Sequence, residues 1–269
     1  VAQRHLGYPR RPIDLCPLAL VVLVACGGIG TRAAGSSPVE AGAETPAPDG
    51  AVAAVSVCAQ KWLLYAGGGP AQCQGTAAGV RLCGPPLASS PTADGFGLSV
   101  VLASGDPAQL TARVRAAGAP SWGDALASAM RAPDTAEWRI RGLLPGRRYE
   151  YEIRSTESEA ASPLYTGSVV TTRPPGDAFT FALISDTHVG TDPDDLNQGD
   201  WCALSAIAAK VDALAPDFIV NLGDMLDFHK YGFNEAPPYS ALLATAYRNY
   251  RALLGDTLGH AAHFAVVGN

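Results

Sequence analysis

From about residue 80 to Pro175 the chain alternates apolar and polar residues in short segments: GLSVVLASGD, TARVRAAG, AEWRIRGLLPG, RRYEYEIR and TGSVVTTRPPG, each bounded by turn residues. Trp138 with Ile140, and Tyr149 with Tyr151 and Ile153, keep a period of two, the mark of strands with one buried face. Strands of this kind at regular spacing predict a small β-sandwich. The preceding stretch, residues 51 to 80 with KWLLYAGGGP, fits either an added strand or a loop.

The pattern changes after Arg173-Pro174-Pro175-Gly176, a sharp linker. Phe179 to Ile184 reads as a buried strand, and Leu204, Ile207, Ala208, Val211 and Leu214 recur at helical spacing until Pro216. A second strand is predicted over Phe218 to Leu222, and a third over His263 to Val267. Between them a helix from Ala241 to Leu258 is expected to present Leu243, Tyr247, Tyr250 and Leu254 on one face. Strands alternating with helices call for a mostly parallel sheet buried on both sides.

At 269 residues the chain has room for one large or two modest domains. A hydrophobic share of 48% favours a packed core, while 29 Gly and 21 Pro point to many turns and at least one linker. Net charge is −6 and no Lys/Arg run stands out, so no nucleic-acid surface is evident.

The N-terminus has the layout of an export signal over residues 1 to 26: Arg4, Arg10 and Arg11, an apolar stretch from Leu15 to Ala25, then Cys26-Gly27-Gly28. That stretch is too short to span a bilayer. Leu23-Val24-Ala25-Cys26 resembles the bacterial lipobox, which implies a lipid on Cys26 and a membrane-anchored protein of the cell envelope. If Cys26 is incidental, the same signal leads to a periplasmic or secreted protein. Residues 27 to 50 are rich in Ala, Gly, Ser and Pro and read as a flexible tether. Of the remaining cysteines, Cys58, Cys73 and Cys83 cluster and Cys202 stands apart, so an exported chain favours one bridge among the first three. No CxxC pair supports structural zinc.

Each of the three later apolar runs ends in ligating residues: Asp186-Thr187-His188, Gly223-Asp224 and Gly268-Asn269. Strand ends of an open α/β sheet meet in one crevice, however far apart they are in sequence. In this order the blocks resemble the D-x-H, G-D and G-N-H motifs of the calcineurin-like metallophosphoesterase superfamily. The resemblance implies a two-metal hydrolase of phosphoric esters in which Asp186 and His188 bind one metal, Asp224 bridges both and serves catalysis, and Asn269 binds the second. Two divalent ions of the manganese, zinc or iron type suit such carboxylate and imidazole donors, and a pair of them activates water for attack at phosphorus.

Leu143-Leu144-Pro145-Gly146 followed by Tyr149 and Tyr151 resembles the fibronectin type III turn and tyrosine corner, so the whole looks most like the purple acid phosphatase or alkaline phosphatase D branches. The expected architecture is an all-β fibronectin III-like sandwich over residues 51 to 175, then α/β, part of an αββα metallophosphoesterase sandwich, over 176 to 269. The sandwich either positions substrate or carbohydrate or is a spacer packed on the catalytic part. His188 stands where the purple enzymes show DxG, and Asp227 where they place the Tyr that ligates ferric iron, so a coloured ferric centre is not expected. Asp227 and His229 either support the ligands or contact substrate, or are solvated loop residues.

Two further clusters read as structural. Gly259-His260-Ala261-Ala262-His263 is spaced wrongly for the family's GHxH block and is expected to be a glycine helix stop with His at the negative end of the dipole. Asp192, Asp194 and Asp195 lack EF-hand spacing and read as a polar rim. The sequence ends at Asn269, before the family's next His and its later ligands, so the resemblance implies an incomplete catalytic domain. The alternative is a non-catalytic surface lipoprotein with a decayed phosphoesterase remnant. An in-frame continuation of the coding sequence separates the two.

Overall fold

The structure is a computed structural model that describes residues 79–157, 162–190, 201–226 and 239–266, together with the backbone of a strand β1 at Val21–Ala25. Side chains at 202 and 239–242 are outside that description. Twelve further strands follow in the described residues: β2 (Arg81–Leu82), β3 (Leu87–Thr92), β4 (Gly95–Ser104), β5 (Leu110–Ala116), β6 (Leu126–Ala127), β7 (Ala129–Ala132), β8 (Thr135–Ile140), β9 (Arg148–Ser155), β10 (Tyr165–Val170), β11 (Phe179–Ile184), β12 (Phe218–Asn221) and β13 (Ala262–Ala265). Helices α1 (Trp201–Leu214), α2 (Tyr239–Leu254) and the single turn α3 (Thr257–His260) separate the last of them.

The alternating segments become two antiparallel sheets, one ordered β2-β4-β8-β7 with β3 also on β4, the other β10-β9-β5-β6. Inward residues of both, among them Leu98, Val100, Trp138 and Ile140 against Leu110, Tyr151, Ile153 and Val169, form a single core. This is the predicted sandwich. The Leu144 N–H donates to the Tyr149 hydroxyl at 2.8 Å, and the Thr171 hydroxyl donates to the Leu144 carbonyl at 2.7 Å. Both backbone polar groups of Leu144 are thereby fixed to the strands, with the Tyr149 hydroxyl bonded back to the turn as in a tyrosine corner. Trp138 is a core residue whose indole N–H donates to the Leu126 carbonyl, whereas Trp122 lies beneath the Arg115 guanidinium at 4.2 Å. Cys83 is disulfide-bonded, and the side chains of the other cysteines lie outside the described residues.

The second unit is a sheet ordered β1-β11-β12-β13, with β11, β12 and β13 parallel and β1 antiparallel on the outer edge of β11. Val21–Ala25, the end of the apolar stretch read as an export signal, is thus a strand here, in register from Val21 against Leu183 to Ala25 against Phe179. The lipid site proposed at Cys26 and the tether after it lie outside the described residues. No helix among the described residues is long and apolar enough to cross a membrane.

Three local expectations are corrected. The helix predicted to run to Leu258 ends at Leu254, because Gly255 takes a left-handed φ of 55° and turns the chain into α3. On α2 the buried stripe is Ala246, Asn249, Tyr250, Leu253 and Leu254, while Leu243 and Tyr247 are 41% and 42% exposed. Helical spacing identified the helix and its buried Tyr250 and Leu254, but wrongly placed Leu243 and Tyr247 with them. Among the described residues the sheet is also not fully covered on both faces, although Phe218 packs against the sandwich core. Ala182, Ile184 and Ile219 pack under Leu204, Val211, Leu253 and Leu258, but the opposite face presents Phe179, Phe181, Phe218 and Phe264, whose successive ring centroids lie 5.4 to 5.9 Å apart. Phe264 remains 42% exposed.

Polar contacts join the sandwich to this sheet. Tyr151 donates its hydroxyl to the Gly259 carbonyl at 2.9 Å, Tyr165 to Asp256 at 3.0 Å, and Arg148 reaches the Ala215 carbonyl at 3.0 Å. Arg251 of α2 is driven into the sandwich, donating to the Pro85 and Ser99 carbonyls. Burial pulls its guanidinium pKa down to about 10. Gly259 is therefore a close-approach glycine rather than a helix stop: a Cβ there would meet the Tyr165 hydroxyl at 2.5 Å.

Candidate metal centre

β11 ends in Ile184, and the next turn carries Ser185, Asp186, buried Thr187 and His188; β12 ends in Asn221, and the turn after it carries Gly223 and Asp224. The two turns are zipped together by backbone hydrogen bonds. Asp186 N–H donates to Gly223 O at 3.2 Å, His188 N–H to Asp224 O at 3.0 Å and Val189 N–H to Met225 O at 2.9 Å. A parallel bridge between Val189 and Leu226 follows, and the Thr187 hydroxyl donates to Met225 O at 3.0 Å. The parallel pairing of the strands thus continues into the loops, and it places three side chains side by side.

Asp186, His188 and Asp224 each offer a donor atom, all within 4.8 Å of one another. His188 Nε2 lies 4.0 Å from Asp186 Oδ1, with the two side chains 39% and 63% exposed. The Ser185 hydroxyl donates to the other oxygen of Asp186. All three donor residues hold a left-handed backbone, with φ of 54°, 43° and 47°. Such φ values carry a steric penalty of roughly 1–2 kcal/mol for a residue with a Cβ; Asp and His are among the types that tolerate it. Strain gathered at three neighbouring polar residues is a common property of ligand-holding turns. Two carboxylates and one imidazole form a mixed oxygen and nitrogen donor set, suited to manganese, zinc or ferrous ions.

The structure thus brings together the three residues named from the first two blocks. Asn269, Asp227 and His229, and the aspartates at 192, 194 and 195, lie outside the described residues. The histidines of the rejected GHAAH stretch are engaged elsewhere: His260 Nδ1 lies 2.7 Å from Asp212 on α1, and His263 Nε2 lies 2.9 Å from the Tyr250 hydroxyl. A cleft of about 490 Å³ exists at the linker, lined by Arg173, Pro174, Phe179, Phe218 and Phe264 among others, but none of the three donors lines it. Its wall is made mostly by residues 170–177, with Phe179, Phe218 and Phe264 adding aromatic surface.

Sequence reading missed a polar layer beneath the turns. Asn221 is fully buried; its Oδ1 accepts the Gly223 N–H at 2.9 Å and its Nδ2 donates to the Tyr250 hydroxyl at 2.8 Å. Fully buried Asn249 donates to Gly190 O at 2.9 Å. The available signal was the placement of Asn221 as the one amide closing the apolar run FIVN, and of Asn249 on the apolar stripe of a helix. Burial, with Arg251 as a smaller cause, depresses the His263 pKa to about 4, which keeps the ring neutral.

No protein-family model matches the chain, and no curated protein does. Among solved structures it is similar to the sensor domain of the anti-sigma factor RsgI4 from Pseudobacteroides cellulosolvens, at 15% identity and a TM-score of 0.27, over 37% of this chain and 100% of that one. It is similar also to a computationally redesigned β-sandwich protein, at 13% identity and a TM-score of 0.27, over 33% of this chain and 95% of that one. Neither carries a functional argument.

Proposed function

We propose that the chain is an exported, metal-dependent phosphoester hydrolase of the calcineurin-like type, anchored through a lipid on Cys26, whose residues 176–269 are part of an αββα catalytic domain. The observation that carries this reading is the convergence of Asp186, His188 and Asp224 within 4.8 Å on two strand-end turns with left-handed backbones. Divalent ions at such a centre supply Lewis acidity toward a phosphoryl oxygen and acidify a bound water. The chain's own part is to hold the donors. Asp224 would hold both ions, Asp186 and His188 one of them and Asn269 the other, while Ser185 orients the Asp186 carboxylate through its hydrogen bond. The sandwich, joined to the sheet by Arg251, Tyr151 and Tyr165, serves as a packed support.

The test is calorimetric titration of the full chain with Mn²⁺, paired with hydrolysis of p-nitrophenyl phosphate and bis(p-nitrophenyl) phosphate. Wild-type protein should bind Mn²⁺, and Asp224→Asn should abolish both binding and any Mn²⁺-stimulated release of nitrophenol. Full Mn²⁺ binding by Asp224→Asn, or none by the wild type, would sink the assignment.

A further inference from the structure

Two adjacent residues of α2 reach the donor-bearing turns, Asn249 directly and Tyr250 through Asn221. Asn249 Nδ2 donates to the carbonyl of Gly190, two residues after His188. The Tyr250 hydroxyl accepts from Asn221 Nδ2, and Asn221 Oδ1 in turn accepts the N–H of Gly223, next to Asp224. The same hydroxyl meets His263 Nε2 on β13 at 2.9 Å. Packing alone does not account for these residue types. Asn221 and Asn249 are fully buried, and Asn249 Oδ1 has no hydrogen-bond partner among the described residues, a cost that a leucine in the same stripe would avoid.

We propose that Asn249 and Tyr250 are positioning residues that hold the Asp186–Gly190 and Gly223–Asp224 turns in register, Asn249 gripping the first directly and Tyr250 the second through Asn221, from consecutive positions on one rigid helix. The proposal rests on the reading of Asp186, His188 and Asp224 as a metal centre. Its physical basis is that three strained φ values persist only where the surroundings over-determine the backbone. The backbone zipper between the turns fixes each relative to the other; the Asn249 and Tyr250 bonds fix the pair relative to the core. Groups that orient ligands in this indirect way commonly set metal affinity.

The experiment is amide hydrogen exchange on the metal-free full chain, comparing wild type with Tyr250→Phe, Asn249→Ala and, as a control on the same helix, exposed Tyr247→Phe. Tyr250→Phe should speed exchange at Gly223 and Asp186 about tenfold, and Asn249→Ala at His188 and Val189, while amides of β4 and β9 keep their wild-type rates. Exchange unchanged at the turns overturns the proposal; so does acceleration spread evenly over turns and sandwich, which marks a general packing role. The metal-free readout decides the positioning role even if wild-type protein takes up no Mn²⁺, a result that would instead sink the metal-centre reading. Where Mn²⁺ binds, Tyr250→Phe should weaken it about tenfold and Tyr247→Phe should leave it unchanged; equal affinity in Tyr250→Phe counts against the proposal.

Discussion

Arg173 clasps Asp217 through two nitrogens, Nε at 2.9 Å from one carboxylate oxygen and Nη2 at 2.8 Å from the other. The oxygen that takes Nε also accepts the Thr180 N–H at 2.9 Å. One mostly buried carboxylate thus ties the linker, the start of β11 and the entry to β12. A two-nitrogen ion pair of this geometry is stronger than an ordinary surface pair.

Asp217→Ala leaves Arg173 and the Thr180 N–H without that partner and is expected to lower unfolding stability by ~2–3 kcal/mol. Urea denaturation should show a reduced midpoint with an unchanged slope. A loss below ~0.5 kcal/mol would mean that the clasp contributes no more than an exposed pair.

Stability should fall on acidification through His263. Its unfolded value is the ordinary 6.5 and its folded value is depressed to about 4. Above pH 6.5 both states are neutral and the group carries no penalty. As pH drops from 6.5 toward 4 the unfolded chain takes a proton that the folded one refuses, so folding loses up to roughly 3 kcal/mol across that window. His263→Leu should flatten this part of the stability profile, and an identical profile would exclude His263 as its source.

Strain at the donor turns sets up a trade between stability and ligation. His188→Gly removes the Cβ at a φ of 43° and is expected to raise the stability of metal-free protein by up to ~1 kcal/mol. It should at the same time weaken Mn²⁺ binding. Thermal melts in chelator and in Mn²⁺ should move in opposite directions; lowered stability in chelator would show that the His188 ring contributes more by packing than its backbone costs.

The sequence carried the strands of the sandwich because Trp138, Ile140, Tyr149, Tyr151 and Ile153 each face a core across a period of two, and the structure buries all five. It carried the donor trio because strand-end residues converge whatever their separation along the chain. It carried only part of the face of α2: Tyr250 and Leu254 are buried as expected, but Leu243 and Tyr247 are not, and Ala246, Asn249 and Leu253 complete the buried stripe. Nor did it carry the pairing of Asn221 with Tyr250, since their importance lies in contacts spanning 29 residues of sequence between them. A buried amide is visible as an anomaly in an apolar run, but its partner is not.

The pairing of Val21–Ala25 with β11 gives those five residues two mutually exclusive destinations. A leader segment held in a translocation channel or in lipid cannot also cap the sheet, and its removal before Cys26 would uncover the backbone donors and acceptors of Phe179 to Leu183. Sheet completion and export would then be ordered in time. With the segment held in the channel, or removed, the edge of β11 would stand open, and an open edge invites pairing with another chain.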